Sequence, residues 1–173
     1  ENFVRHVYRS TNSKRKLISP ELQNLFFSHI LQQNPMPLFQ SRWDRLGIMP
    51  PIGTISHLSK AIAKLKRNAV LPETLKANVK TRDGLNSIIA IYEAYQDQLG
   101  EVYIDQPGIY TAVSDVFSQI NSESVHKQLK PYFQGVDLVV LIGFETFFPI
   151  YLKTLISLSN LPGISVAILL DIF

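Results

Sequence analysis

Apolar residues recur at three- and four-residue intervals through most of the chain, punctuated by proline and glycine, so residues 1–134 read as a run of helices. Asn2 to Arg9 reads as the end of a helix with Phe3, Val4 and Val7 inward, and Ser10 to Lys16 as a polar, basic loop. Ser19-Pro20-Glu21 is a helix start: a serine N-cap, a proline whose missing N–H costs nothing in the first turn, and an acid that favours the dipole. The set Leu22, Leu25, Phe26, His29 and Ile30 follows at helical spacing, and Asn34-Pro35 ends that helix. A short helix over Leu38 to Leu46 is expected before Gly47-Ile48-Met49-Pro50-Pro51. Gly53-Thr54 then opens an amphipathic helix with Ile55, Leu58, Ile62 and Leu65 inward and lysines opposite. Leu71-Pro72-Glu73 starts a short helix. A long one from Asp83 to Leu99 buries Leu85, Ile88, Ile89, Tyr92, Tyr95 and Leu99, with Gly100 past its end. Asp105-Gln106-Pro107 starts another, whose inward face is Ile109, Val113, Val116, Phe117 and Ile120.

The pattern changes at Gly135. Val136 to Ile142 is a continuous β-rich apolar run, as in a strand buried on both faces of a parallel sheet. A helix from Pro149 to Ser159, a turn at Leu161-Pro162-Gly163 and a second buried strand over Ile164 to Leu170 complete a right-handed βαβ unit. The expectation is a mostly α fold with a C-terminal α/β part, divided into a helical region 1–134 and a βαβ region 135–173.

Composition narrows the chemistry. With no cysteine among 173 residues there is no disulfide framework, thiolate metal site or cysteine nucleophile. No apolar run approaches the roughly 20 residues that span a bilayer and no signal peptide opens the sequence, so a cytoplasmic setting without membrane contact is expected. Glu1 in place of an initiator Met, and a terminus directly after a strand-like run, suggest a piece of a longer chain.

Charge adds a candidate partner. Residues 1–82 carry 14 Lys/Arg and 4 Asp/Glu, whereas residues 83–173 carry 3 and 10. The basic residues cluster as Lys14-Arg15-Lys16, as Arg42 with Arg45, as Lys60, Lys64, Lys66 and Arg67, and as Lys76, Lys80 and Arg82. Lys60, Lys64 and Arg67 are spaced i, i+4, i+7 and share one helix face. Trp43, Phe39 and Tyr8 lie near these clusters in sequence, and single-strand binding combines such aromatics with phosphate contacts. The bland reading, a solvated basic face with aromatics turned into the core, stands on an equal footing.

Catalytic signatures are missing from the sequence. It contains neither a Gly-x-x-x-x-Gly-Lys-Ser/Thr nor a Gly-x-Gly-x-x-Gly phosphate loop, and no Gly-x-Ser-x-Gly elbow. His6, His29, His57 and His126 fall on separate helices without metal-ligand spacing. Nucleotide enzymes place the acids that hold Mg²⁺ and orient water where a parallel strand runs out. Here those places fall on Gly143 and Phe144, with Glu145 the only acid nearby.

Leu141-Ile142-Gly143-Phe144-x-x-Phe147-x-Pro149 resembles the degenerate Walker B segment in the helicase-like N-terminal half of the B subunit of AddAB-type helicase–nucleases. Phe3-Val4-Arg5-His6-Val7 resembles the end of the first segment of a superfamily 1 motor domain. Pro51-x-Gly53 to Leu75, and Ile91-Tyr92-x-x-Tyr95-x-x-x-Leu99 followed by Asp105, resemble the helical insertion called 1B. The resemblance implies a 1B-like insertion packed on part of a parallel RecA-like sheet, in a subunit that binds and guides DNA without acting as the motor. It also implies loss of the acidic pair at Gly143 and Phe144. That family's PD-(D/E)XK nuclease, cluster cysteines and Walker A loop match no residues here.

The expected function is therefore a non-catalytic DNA-guiding portion of a DNA double-strand-break repair helicase–nuclease. Its partners are single-stranded or unwound DNA and a helicase subunit. The candidate DNA contacts are Lys14, Arg15, Lys16, Arg42, Trp43, Arg45, Lys60, Lys64 and Arg67, and no catalytic or metal-binding residue is assigned. No cofactor is expected on these residues, ATP and Mg²⁺ requiring other parts of the parent chain. The alternatives are a protein-interaction scaffold that docks a partner subunit, and an active ATPase whose acid is Glu145.

Overall fold

A computed structural model describes residues 2–11, 14–33, 52–78, 83–119, 131–142 and 147–169. The chain groups into two compact units: Arg15–Asp105 forms one, and Glu1–Lys14 together with Gln106–Phe173 forms the other. This division runs elsewhere than between residues 134 and 135. The change of pattern at Gly135 is a change of secondary structure inside one unit.

The continuous unit, 15–105, is helical. It contains α2 (Pro20–Gln33), α3 (Ile52–Arg67), α4 (Pro72–Asn78) and α5 (Asp83–Leu99). Two two-residue strands, β1 (Lys16–Leu17) and β2 (Tyr103–Ile104), pair in parallel near its ends. Backbone bonds from Lys16 N–H to the Val102 carbonyl (2.8 Å) and from Ile18 N–H to the Ile104 carbonyl (2.9 Å) flank that pair.

The α2 start is as expected, with Ser19 Oγ accepting the Leu22 N–H at 3.2 Å and Pro20 as the first helical residue. The Ser19 hydroxyl and local backbone N–H groups hold the Glu21 carboxyl below its ordinary range, backbone bonding being the larger cause. The buried face of α2 differs from the expected one. Leu25 is 60% exposed and His29 is exposed, while Phe27, Ile30 and Leu31 are in the core. Phe27 stacks on Tyr95 of α5, ring centroids 4.6 Å apart, and the two lie among Ile62, Ile91 and Tyr92. Helix α5 buries Ile91 as well as the expected Ile89, Tyr92, Tyr95 and Leu99, because it packs against both α2 and α4.

Helix α3 ends in a Schellman motif. Val70 N–H bonds the Leu65 carbonyl and Ala69 N–H the Lys66 carbonyl, both at 3.0 Å. The motif needs a left-handed residue at Ala69, whose φ is +56°, and alanine there carries a steric cost that glycine avoids. Ala69→Gly is expected to stabilise the unit by about 0.5 kcal/mol or more, strain relief exceeding the added unfolded-state entropy. A denaturation midpoint that falls instead would show that the left-handed turn is unstrained.

The second unit contains α1 (Asn2–Ser10), α6 (Gln106–Ser118), β3 (Leu138–Ile142), α7 (Pro149–Ser159) and β4 (Ser165–Leu169). Its core includes Val7, Ile109, Val113, Phe117, Ile150 and Leu158. Phe3, expected inward, is 42% exposed, while Val4 and Tyr8 are buried. Helices α6 and α7 approach closely through small polar residues. Ser114 and Ser157 hydroxyls meet at 3.0 Å, and Thr154 Oγ1 donates to the Ile150 and Tyr110 carbonyls at 2.9 and 3.2 Å.

Strands β3 and β4 pair in parallel with Leu138 opposite Ser165 and Ile142 opposite Leu169. The fold is thus mostly helical, with short parallel strands in two two-stranded sheets. The expectation that β3 and β4 are buried on both faces does not hold. Leu138, Val140 and Ile142 are 55%, 44% and 67% exposed, and Leu169 is 54% exposed. Alternation puts these four on one face, while α7 packs on the other, so one face lacks a covering layer among the described residues.

Candidate nucleic-acid interface

The sequence-level charge asymmetry does not survive folding. The compact unit 15–105 holds 11 Lys/Arg against 8 Asp/Glu, and the rest of the chain holds 6 of each. The acids that follow residue 82 in sequence fold back onto the bases that precede it. Arg15 pairs with Glu101 at 2.9 Å, Lys76 with Glu93, and Lys66 with Asp105 at 2.7 Å.

The Lys66 pair is buried, its side chains 9% and 5% exposed. Lys66 Nζ also donates to Gln96 Oε1 at 3.0 Å and lies 5.7 Å from the centre of the Tyr95 ring. The Tyr95 hydroxyl donates to the same Asp105 Oδ2 at 3.3 Å, and the Tyr92 hydroxyl to the Val70 carbonyl at 3.1 Å. Burial, reinforced by the nearby Asp105 carboxylate, pushes both tyrosine hydroxyls well above their usual range and holds them protonated. Lys66 is therefore an internal anchor of α3. Its position four residues after Ile62 puts it on the buried stripe, off the face shared by Lys60, Lys64 and Arg67.

What remains outward on α3 is a short basic row. Lys60 and Lys64 are exposed and have no acidic partner among the described residues. Arg67 completes the row but is half-buried, its Nε donating to the Ala63 carbonyl at 3.3 Å. His57 and Ala61 share the exposed side. Lysines so placed act as point charges toward phosphate oxygens and carry no base-reading geometry.

The other candidates are not gathered onto this row. Lys16 is exposed on β1, Arg15 is engaged with Glu101, and the exposed Lys14 belongs to the other compact unit. Arg42, Trp43 and Arg45 lie outside the described residues, as do Phe39, the expected helix over 38–46, Lys80 and Arg82. Tyr8, a candidate for stacking, is 7% exposed and belongs to the core. Gly143, Phe144 and Glu145 also lie outside the described residues.

Of the histidines, His29 is bridged by Gln33 Nε2 and Gln98 Nε2 at 3.1 Å each, and His6 meets the edge of Tyr132 at 4.9 Å. Among the described residues no three His, Cys, Asp or Glu converge as a metal site, and no helix is long and apolar enough to cross a membrane. No protein-family model and no curated protein matches the chain.

Proposed function

We propose that residues 15–105 hold and guide single-stranded or unwound DNA through its phosphates, as a non-catalytic part of a helicase-like subunit in a DNA-repair helicase–nuclease. The observation that carries this reading is the outward row on α3, where Lys60 and Lys64 are exposed without acidic partners among the described residues while Arg15, Lys66 and Lys76 pair with acids of the same unit. The nesting of a helical stretch between two segments of the other unit also supports it, being the arrangement an insertion such as 1B produces. A cytoplasmic setting and a helicase partner subunit go with this reading. ATP and Mg²⁺ chemistry is assigned to none of these residues.

The rival reading, a protein-interaction scaffold, is favoured by one observation: three of the bases that suggested a polyanion partner, Arg15, Lys66 and Lys76, pair with acids within unit 15–105 itself.

The discriminating experiment is fluorescence anisotropy of a labelled single-stranded oligonucleotide, titrated with the chain from low to physiological salt. Two or three phosphate contacts predict that log K falls by about 1.4 to 2.1 per decade of salt, at roughly 0.7 per contact. Lys60→Glu with Lys64→Glu, both at exposed positions, should abolish binding and leave helical content unchanged. Absence of binding at low salt, or binding by the double variant, would move the assignment to the scaffold.

A further inference from the structure

The exposed side of α3 holds one titratable side chain besides its row of bases. His57, Lys60 and Lys64 are spaced i, i+3 and i+7, so they stand in one line on the helix, about 10 Å from end to end at 1.5 Å per residue. All three are exposed, and among the described residues none of their side chains has a hydrogen-bond or ion-pair partner. Helix α3 turns its other side, with Ile55, Leu58 and Ile62, to its neighbours. Of these, α2 carries Glu21 in its first turn and His29, which Gln33 and Gln98 bridge. Glu73 of α4 and Glu93 and Asp97 of α5 line a recess with Gln96, whose side chain accepts from Lys66 on the buried side, and Lys76 pairs with Glu93. Tyr92, Tyr95 and Asp105 lie in the core.

We propose that His57 is a further phosphate contact of this row, made when its imidazole carries a proton, so that the chain holds a DNA strand more tightly in mild acid than at neutral pH. This rests on the reading of Lys60 and Lys64 as phosphate contacts. Imidazole is the side chain whose charge ordinarily changes between about pH 5 and 8, whereas a lysine ammonium on an exposed face stays charged throughout. A phosphate brought beside an imidazole favours its charged form. Protonation and binding therefore support one another: the complex takes up a proton, and affinity falls as the pH rises. The lysines supply a grip that is constant over this range, and the histidine adds one that is not. Because the contact is to phosphate oxygens, it carries no sequence preference.

The probe is a labelled oligothymidylate, whose bases do not titrate in this range, and fluorescence anisotropy with the full 173-residue chain reads its affinity. From about pH 8 to about pH 5.5 the affinity should rise about fivefold, the upper range for one exposed ion pair. The salt dependence should steepen by about 0.7 in log K per decade, as one more single-strand phosphate is neutralised. His57→Gln should flatten the pH profile. His57→Lys should flatten it too, at the tighter level that the native chain reaches only in acid. Glutamine and lysine favour a helix at least as well as histidine, so neither variant should disturb α3. His29→Gln, on α2, should keep the rise.

A flat profile in the native chain overturns the proposal and leaves the lysine contacts standing. So does a rise that survives His57→Gln, or a His57→Lys variant that binds no more tightly at about pH 8 than the native chain. Absence of binding in low salt at either pH overturns the reading of α3 as the DNA face, and this proposal with it.

Discussion

Replacing Lys66 by methionine is expected to cost roughly 3–5 kcal/mol of stability in unit 15–105. Methionine keeps the length and apolar stem of lysine, so the loss isolates the ammonium. Its removal takes the Lys66 cation away from the Asp105 carboxylate, which is 5% exposed. The Tyr95 hydroxyl at 3.3 Å is among the groups that still solvate that charge, and a neutral hydrogen bond of this kind is worth only about 1 kcal/mol net. Two companion variants sharpen the expectation. Tyr95→Phe should cost no more than about 2 kcal/mol, because it removes a hydrogen bond and no charge. Asp105→Asn added to Lys66→Met should recover a large part of the loss, since it removes the buried charge rather than restoring the pair. Chemical denaturation followed by helical circular dichroism reads all three. A Lys66→Met cost below about 1 kcal/mol would mean the pair is not shielded from water as its exposure implies.

Phe27→Ala is the other large effect, at roughly 3–5 kcal/mol. Phe27 is fully buried and its ring lies nearly parallel to that of Tyr95, at 17° between planes. Truncation therefore opens a cavity where α2 meets α5 and also removes an aromatic contact worth about 0.5–1.5 kcal/mol. The neighbouring residue supplies the comparison. Phe26 is half-buried and meets Tyr103 edge-on at 5.7 Å, so Phe26→Ala should cost less than half as much. If the two costs came out equal or reversed, α2 would present a different face from the one described. Lys66 and Phe27 both act on Tyr95, so their joint replacement should depart from additivity.

That pair of phenylalanines also marks how far the sequence could be read. Helix starts were legible at Ser19-Pro20, at Asp105-Gln106-Pro107 and at Pro149, because capping chemistry is local. The inward face of α2 was not. Leu22, Leu25, Phe26, Phe27, Ile30 and Leu31 support two overlapping stripes at helical period, and the choice is made by what α3 and α5 offer across the gap. On α3, where lysines interrupt the apolar residues, the stripe had one solution and Ile55, Leu58 and Ile62 are buried as expected. The same spacing separated Lys66 from Lys60, Lys64 and Arg67, and Lys66 is accordingly not among the candidate DNA contacts.

The strands teach a second limit. Val139 and Val140 are equally apolar, yet one turns toward the helical side and the other toward the open face. A continuous apolar run states what a strand can tolerate on both faces, not how many faces are covered. Strands β1 and β2, at two residues each, are too short to leave any pattern. The candidate interface was half legible: the α3 row follows from spacing alone, but the charge partners of Arg15, Lys66 and Lys76 depend on contacts 17 to 86 residues away.

The small parallel pair of β1 and β2 has a consequence for how such a chain can change. It fastens Lys16-Leu17 beside Tyr103-Ile104, so the polypeptide enters and leaves the intervening helices at adjoining points. A stretch with adjoining ends behaves as a cassette. It can be lengthened, shortened or exchanged for an unrelated one while the spacing of the flanking chain is kept. Variation in length should therefore be tolerated between those strands, and resisted within the four residues that clasp them.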